Sequence, residues 1–155
     1  MELTEKIARY VVELQYEQLP PEALAVAKTA FVDCIGVTLA GSREKSATIC
    51  GQIARQEGAA ADASVYGQGF KSSALQAAFV NGTAAHALDF DHSLYLGQPT
   101  SAVIPAIMAV GESLGARGTD LLAAYVAGFE VTAKIARSIP EKVGANGTAR
   151  ELWAL

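Results

Sequence analysis

The sequence contains few charged residues, few aromatic residues and only two cysteines among its 155 positions. Charged residues make up 18% and aromatic residues 7%, whereas hydrophobic residues make up 51%. Disordered chains combine low hydrophobicity with high charge, so this composition excludes intrinsic disorder. Two cysteines are too few for a small fold held together by disulfides. The composition instead predicts one globular domain, with an apolar surplus that indicates a surface for a partner.

Basic clusters and long apolar runs are also missing. The net charge of −4 and the pI near 5.1 argue against nucleic acid or an anionic membrane surface as a partner. The longest apolar runs, Phe31–Gly41 and Ala102–Gly111, reach about ten residues, roughly half of the ~20 residues in a membrane-spanning helix. The first ten residues carry acids and no apolar stretch, unlike a signal peptide. We therefore expect a cytoplasmic protein with reduced cysteines.

Hydrophobic periodicity predicts an all-α fold of about six helices. They are expected near residues 4–14, 20–41, 46–57, 73–88, 101–115 and 119–139. Thr4 is the expected N-cap of the first helix, and Gly41 the expected left-handed residue after the second. Between the third and fourth helices, the sequence predicts one short extended connector near residues 64–67, with room for a single strand.

Five glycines lie inside these helical patterns: Gly36, Gly51, Gly82, Gly111 and Gly128. Each costs about 0.5–1 kcal/mol relative to alanine in a helix interior. Together with the many alanines, they predict helices that pack through Ala/Gly-rich faces at short distances. The alternative is that these glycines are weak positions without a role in packing.

Residues suited to chemistry concentrate in one stretch after the fourth helix. His86, Asp89, Asp91 and His92 include both histidines of the chain. Carboxylates at a helix C-terminus oppose the helix dipole and favour a compensating partner. The residues alone leave three interpretations open: a solvated acidic loop, ligands for a divalent metal as in helical phosphohydrolases, and proton transfer on a small carboxylated substrate. The metal interpretation is weakened because no further histidine exists in the chain.

Four segments resemble a known family: FVDCIGVTLAG (Phe31–Gly41), SVYGQG (Ser64–Gly69), NGTAAHALDFD (Asn81–Asp91) and AGFEVTAKIARSI (Ala127–Ile139). Their order and spacing are similar to the N-terminal part of the MmgE/PrpD family, which includes 2-methylcitrate dehydratase, cis-aconitate decarboxylase and iminodisuccinate epimerase. The resemblance implies a homodimeric enzyme with a large helical domain and a smaller α+β domain. It also implies an active site between those domains, a small di- or tricarboxylate substrate, and no metal or organic cofactor.

The resemblance also implies roles for individual residues. Asp89 matches the first aspartate of the family's LDFD motif and is the expected catalytic residue. The expected substrate-binding residues are Ser93, Gln98, Asp91, His86 and His92, and no metal ligand is expected. Gln98 stands where dehydratases and decarboxylases of the family have a histidine. Glutamine can hold a carboxylate through its amide N–H but cannot donate a proton near neutral pH, so the reaction stays open.

The resemblance divides the chain into residues 1–140, expected to be part of the helical domain, and 141–155, expected to be an atypical tail. The family continues here with a Trp-His-x-Thr-Gly-Thr segment, and a coding stretch of that kind read one base out of frame can give Thr148–Leu155. We therefore expect a truncated family member that is inactive alone, with a natural short paralogue as the alternative. A non-catalytic helical oligomerisation protein is the rival function. Either function predicts self-association or a homodimer.

Overall fold

A computed structural model of the chain describes residues 2–94 and 97–138. Within those residues it contains six α-helices, one 3₁₀ turn and one two-stranded hairpin. The elements in chain order are α1 (Leu3–Glu13), the 3₁₀ turn (Tyr16–Gln18), α2 (Pro21–Gly41), α3 (Lys45–Glu57), β1 (Ala63–Val65), β2 (Phe70–Ser72), α4 (Ala74–His86), α5 (Thr100–Leu114) and α6 (Gly118–Ser138). The predicted all-α class is confirmed.

Several helix ends follow local sequence signals. The Ser73 hydroxyl accepts a hydrogen bond from the backbone N–H of Gln76 and caps α4. Gly58 and Gly115 adopt the left-handed conformation directly after α3 and α5, as helix-ending glycines commonly do. The predicted cap at Thr4 is wrong, because Thr4 is already helical and Glu2 occupies the N-cap position without a side-chain hydrogen bond.

The connector between α3 and α4 is a hairpin of two strands, where the sequence predicted at most one. Ala63 pairs with Ser72 and Val65 pairs with Phe70 in an antiparallel register. The second strand has three residues, too few for alternation to be recognised in the sequence. The hairpin packs over α5, where the Glu112 carboxylate accepts hydrogen bonds from the backbone N–H and the hydroxyl of Ser64 at 2.7 and 2.8 Å.

Helix α4 lies at the centre of the fold and contributes to two hydrophobic clusters. The first cluster joins α3, the hairpin, α4 and α5 through Ala54, Ala63, Val65, Ala77, Val80 and Ala109. The second joins α2, α4, α5 and α6 through Ala27, Cys34, Ala85, Ile104 and Tyr125. Buried Asn81 binds the hairpin, because its side-chain amide donates to the Ser64 carbonyl and accepts from the Tyr66 N–H, each at 2.9 Å. This packing fixes the end of α4, where the candidate site begins.

Close packing at glycine is confirmed for most of the predicted positions. A Cβ added at Gly82 would lie 3.1 Å from the Ser101 carbonyl oxygen of α5, and one at Gly128 would lie 3.2 Å from Val103. Added Cβ atoms at Gly51 and Gly111 would meet the side chains of Gln68 and Leu121. The prediction is wrong for Gly36, which faces open space.

Gly41 lies at the tightest contact between two helix backbones. The sequence suggested a different role, that of a left-handed residue after the second helix. Gly41 is the last residue of α2 and is not left-handed. An added Cβ there would overlap the carbonyl oxygen of Ala84 in α4 and lie 3.2 Å from the Ala87 Cβ. Glycine is therefore required at this position by the contact between α2 and α4, not by a turn.

Helix α2 is also the most apolar long helix of the described segments. Its 21 residues have a length and composition sufficient to cross a membrane, although the longest uninterrupted apolar runs of the sequence are much shorter. Core helices of soluble proteins and signal sequences share this property, and the buried residues of α2 are Ala27, Cys34, Thr38 and Gly41. Val26 and Val32 lie on its exposed side.

Candidate functional site

The candidate site is formed by the last residue of α4 and the segment that connects it to α5. His86 ends α4, and the backbone N–H of Asp89 donates to the His86 carbonyl at 3.1 Å. Asp89 has a φ of 55°, a left-handed conformation that aspartate tolerates better than most residues. The sequence allowed His86 and Asp89 to share a helical face, but the helix ends before Asp89. The chain therefore reverses direction within three residues of α4.

His86 and Asp91 form a hydrogen-bonded pair. The His86 Nδ1 atom lies 3.0 and 3.2 Å from the two carboxylate oxygens of Asp91. The Asp91 side chain is fully buried, whereas 56% of the His86 side chain is exposed. If Asp91 is ionised, its oxygens only accept hydrogen bonds and Nδ1 is the donor of this pair. The other ring nitrogen, Nε2, is then left for a partner outside the pair.

Asp89 and Gln98 form the second pair of the site. The side-chain amide of Gln98 donates to Asp89 Oδ1 at 2.7 Å. Asp89 is exposed and Gln98 is half-buried, so a half-buried amide holds a carboxylate at the surface. Gln98 directly precedes buried Pro99 and the first turn of α5, which anchors the amide. This geometry leaves the second oxygen of Asp89 without a bond to Gln98.

The two pairs lie next to each other. One ligating atom each from His86, Asp89 and Asp91 lies within 4.8 Å of the others. Such a gap accommodates one bridging oxygen of water or of a substrate. A metal ion would also fit by distance, but Asp91 already directs both of its oxygens at His86. Among the described residues no further histidine, cysteine or carboxylate joins the group. The expectation that no metal binds stays a prediction.

The structure brings four of the six predicted site residues together and leaves two apart. His86, Asp89, Asp91 and Gln98 make the contacts above, while His92 and Ser93 follow Asp91 on the exposed surface. Within the described part of the chain, neither bonds to the four; the His92 ring instead lies 6.0 Å from the ring of Phe129 in α6. The roles expected of all six residues stay predictions.

Two clefts lie elsewhere on the molecule. A cleft of about 530 Å³ is bounded by the segment from Val11 to Glu17 and by α6, and a second of about 330 Å³ lies between α1 and the end of α6. Neither cleft includes His86, Asp89, Asp91 or Gln98. The side chains of His86 and Asp89 are exposed at the surface.

Comparison with known proteins decides the family. Residues 5–148 match the model of the MmgE/PrpD N-terminal domain, a range that includes most of α1, all of α2 to α6 and the whole candidate site. The chain belongs to the MmgE/PrpD family. The family predicted from the LDFD motif and its neighbours is thus confirmed. The predicted boundary at residue 140 and the predicted tail over 141–155 lie outside the described residues and stay predictions.

Two curated relatives of this MmgE/PrpD domain have the same name. Human cis-aconitate decarboxylase is 29% identical over 139 residues, which cover 86% of this chain and 29% of the human protein. Mouse cis-aconitate decarboxylase is 28% identical over 152 residues, which cover 90% of this chain and 31% of the mouse protein. The chain spans about three tenths of the length of the curated relatives it matches.

Proposed function

We propose that this domain provides one side of an active site that binds a small di- or tricarboxylate and moves a proton next to one of its carboxylates. The reaction class is that of a cofactor-independent lyase or isomerase, most similar to 2-methylcitrate dehydratase. The contact between Asp89 and Gln98 carries the proposal, because it holds an exposed carboxylate beside the His86–Asp91 pair. The similarity to two cis-aconitate decarboxylases supports a carboxylated substrate.

Asp89 is the proposed proton acceptor. Gln98 bonds one of its oxygens, so the other can receive a proton from a substrate carbon. Gln98 has no proton to give near neutral pH, and its role is to position Asp89 and to donate N–H bonds to a substrate carboxylate. Ser93, whose side chain is exposed, is a further proposed binding residue.

Two aspartates repel an anionic substrate, which limits where its carboxylates can bind. Asp91 is paired with His86, but Asp89 has only a neutral amide beside it. The substrate carboxylates that Gln98 does not hold must therefore face donors outside this cluster, while a carbon–hydrogen bond faces Asp89. We assign those donors to the parts of the family's proteins that lie beyond the length of this chain.

For the 155-residue chain alone we propose no turnover of methylcitrate, cis-aconitate or iminodisuccinate. Asp89 and His86 are exposed, and a site open to water loses the electrostatic advantage of an enclosed one. The expected homodimer and the expected cytoplasmic location belong to the same proposal. The homodimer is supported by exposed apolar side chains on α2, such as Val26 and Val32, whose exposures are 67% and 74%.

Binding is tested by titrating the isotope-labelled chain with cis-aconitate and, at equal ionic strength, with acetate. We expect amide shift changes confined to residues 86–101 with cis-aconitate and none with acetate. Gln98→Leu should abolish them, while Gln56→Leu, at an exposed glutamine of α3, should leave them unchanged. Shift changes spread over the surface, or changes that persist in Gln98→Leu, would contradict the proposal.

The second candidate is a non-catalytic helical oligomerisation protein. The exposed apolar side of α2 favours it independently of the site, since Val26, Val32 and Leu39 are each at least half exposed. Light scattering coupled to size exclusion should detect a discrete dimer, and Val32→Glu should shift it towards monomer. A dimer without cis-aconitate binding favours this second function, and a monomer contradicts it.

A further inference from the structure

The site contains a proton acceptor in Asp89 and a neutral amide in Gln98, but elimination next to a carboxylate also needs a proton donor for the leaving group. We propose that His86 is this catalytic acid, acting through Nε2, and that Asp91 is the positioning residue that orients its ring. The inference rests on the function proposed above.

The burial of the pair is the first argument. The Asp91 side chain is completely buried, and a buried carboxylate is costly unless a hydrogen-bond donor faces it. His86 Nδ1 faces it at 3.0 Å, while more than half of the His86 side chain is exposed. Nδ1 is therefore fixed by its contact with Asp91, and Nε2 is the ring nitrogen left for a substrate. A carboxylate that holds one nitrogen of a histidine sets the tautomer and the direction of the other.

The position of the pair is the second argument. A ring nitrogen of His86 and a carboxylate oxygen of Asp89 lie within 4.8 Å of each other, so the two side chains border the same small space. His92 is the other imidazole of the chain. Its ring packs against Phe129, and among the described residues no carboxylate bonds to it. His86 is thus the imidazole that the fold both orients and exposes.

The proposed step balances as an elimination of water. Asp89 takes the proton from the carbon next to a substrate carboxylate, and the electrons of that bond form the carbon–carbon double bond. The bond between the neighbouring carbon and its hydroxyl breaks, and the hydroxyl leaves as water with the proton from Nε2 of protonated His86. Solvent then takes the proton from Asp89 and returns one to His86. No oxidant, reductant or metal is required.

Acylation by diethyl pyrocarbonate tests the pair in the chain as it is, without any turnover. The reagent attacks an unprotonated ring nitrogen, and peptide mapping separates His86 from His92. At a pH where both rings are neutral, we expect His86 to react at least about fivefold faster than His92, because the contact of Nδ1 with Asp91 keeps Nε2 as the unprotonated nitrogen that the reagent attacks. Asp91→Asn should bring the His86 rate to within about twofold of His92. Asp33→Asn, at an exposed aspartate of α2, is the matched control and should change neither rate.

A second measurement serves if Asp91→Asn does not fold. Long-range ¹H–¹⁵N spectra of the unaltered chain report which nitrogen of each neutral ring carries the proton. We expect the proton of His86 on Nδ1, and that of His92 mainly on Nε2, as in a free imidazole. A His86 proton on Nε2, or equal acylation rates for the two histidines, would overturn the proposal.

Protection by ligand separates this inference from the proposed function. If cis-aconitate binds at residues 86–101 and slows the acylation of His86 but not of His92, both stand. If it binds there without protecting His86, the role of His86 is refuted while the substrate class survives. If cis-aconitate does not bind, the proposed function fails and the inferred role of His86 fails with it. In that case, fast acylation of His86 that depends on Asp91 would establish only the His86–Asp91 pair.

Discussion

Two glycines of α2 provide a matched test of the fold, and we expect alanine to have opposite effects at them. Gly36 and Gly41 lie five residues apart in one helix. A Cβ at Gly36 has no atom within 4 Å. A Cβ at Gly41 would overlap the Ala84 carbonyl oxygen and lie 3.1 Å from the carbonyl carbon. Since that oxygen belongs to the backbone of α4, it cannot rotate away as a side chain would.

The expected magnitudes follow from these distances. Gly36→Ala should raise the free energy of unfolding by about 0.5–1 kcal/mol, because alanine loses less backbone entropy than glycine in a helix. Gly41→Ala also reduces the backbone entropy lost on folding, but its methyl group forces α2 and α4 apart. Overpacking of this kind costs about 1–3 kcal/mol. We expect a net loss of about 2 kcal/mol, which for a chain of this size lowers Tm by about 4–8 °C.

Urea unfolding followed by circular dichroism at 222 nm measures both variants against the unaltered chain. The two substitutions add the same methyl group to the same helix, so their difference isolates the contact with α4. A Gly41→Ala chain within about 0.5 kcal/mol of the unaltered protein would refute the close crossing of α2 and α4. Because Ala84 lies two residues before His86, the same variant should also shift the amide resonances of His86, whereas Gly36→Ala should not.

Three further outcomes follow from other parts of the structure. Burial raises the pKa of the Cys34 thiol to about 11. Iodoacetamide at pH 8 should therefore modify half-buried Cys50 and spare Cys34, as peptide mapping would show. The free energy of unfolding should also fall as the pH rises from about 9 to 11, because the Cys34 thiol loses its proton at a lower pH in the unfolded chain than in the folded one. Hydrogen bonds from Lys71 and from the hairpin backbone lower the pKa of Glu112, so Glu112→Gln should cost about 1 kcal/mol in urea unfolding at pH 7. That cost should disappear as the pH falls below the ordinary range of a glutamate and through the lowered pKa. Finally, Asp89→Val should be less stable than Asp89→Gly by about 1–2 kcal/mol in the same assay, because a β-branched residue is strained at a left-handed φ.

Each of the three has an outcome that would contradict it. Equal alkylation of both cysteines would mean that Cys34 is not buried. An effect of Glu112→Gln that is unchanged at low pH would mean that the carboxylate charge does not hold the hairpin. Equal stability of the two Asp89 variants would mean that residue 89 is not left-handed.

Most of the fold was predictable because its elements are long and end in recognisable residues. Helices α3 and α5 end at glycines that adopt the left-handed conformation, and Ser73 caps α4 as a serine before an apolar run commonly does. The second hairpin strand was missed because three residues carry too little pattern. The role of Gly41 was missed because a contact with Ala84, more than 40 positions away in the chain, determines it.

The candidate site was predictable as a segment but not as an arrangement. The motif places His86, Asp89 and Asp91 in one short stretch, which the sequence shows directly. The pairing of His86 with Asp91 spans five positions across a helix end, where neither helical nor strand periodicity applies. The pairing of Asp89 with Gln98 spans nine positions of the chain, and the backbone at Asp89 is left-handed; the sequence alone predicted neither.

The central position of α4 has a consequence for local unfolding. Because α4 packs into both hydrophobic clusters, its amides should exchange with solvent only when the whole domain opens. Asp89 lies outside α4, belongs to neither cluster and has an exposed side chain, so its contact with Gln98 can open at a lower free energy. The two partners of the proposed reaction thus belong to regions of unequal local stability: mild denaturant should release the Asp89–Gln98 contact first, with His86 still anchored at the end of α4.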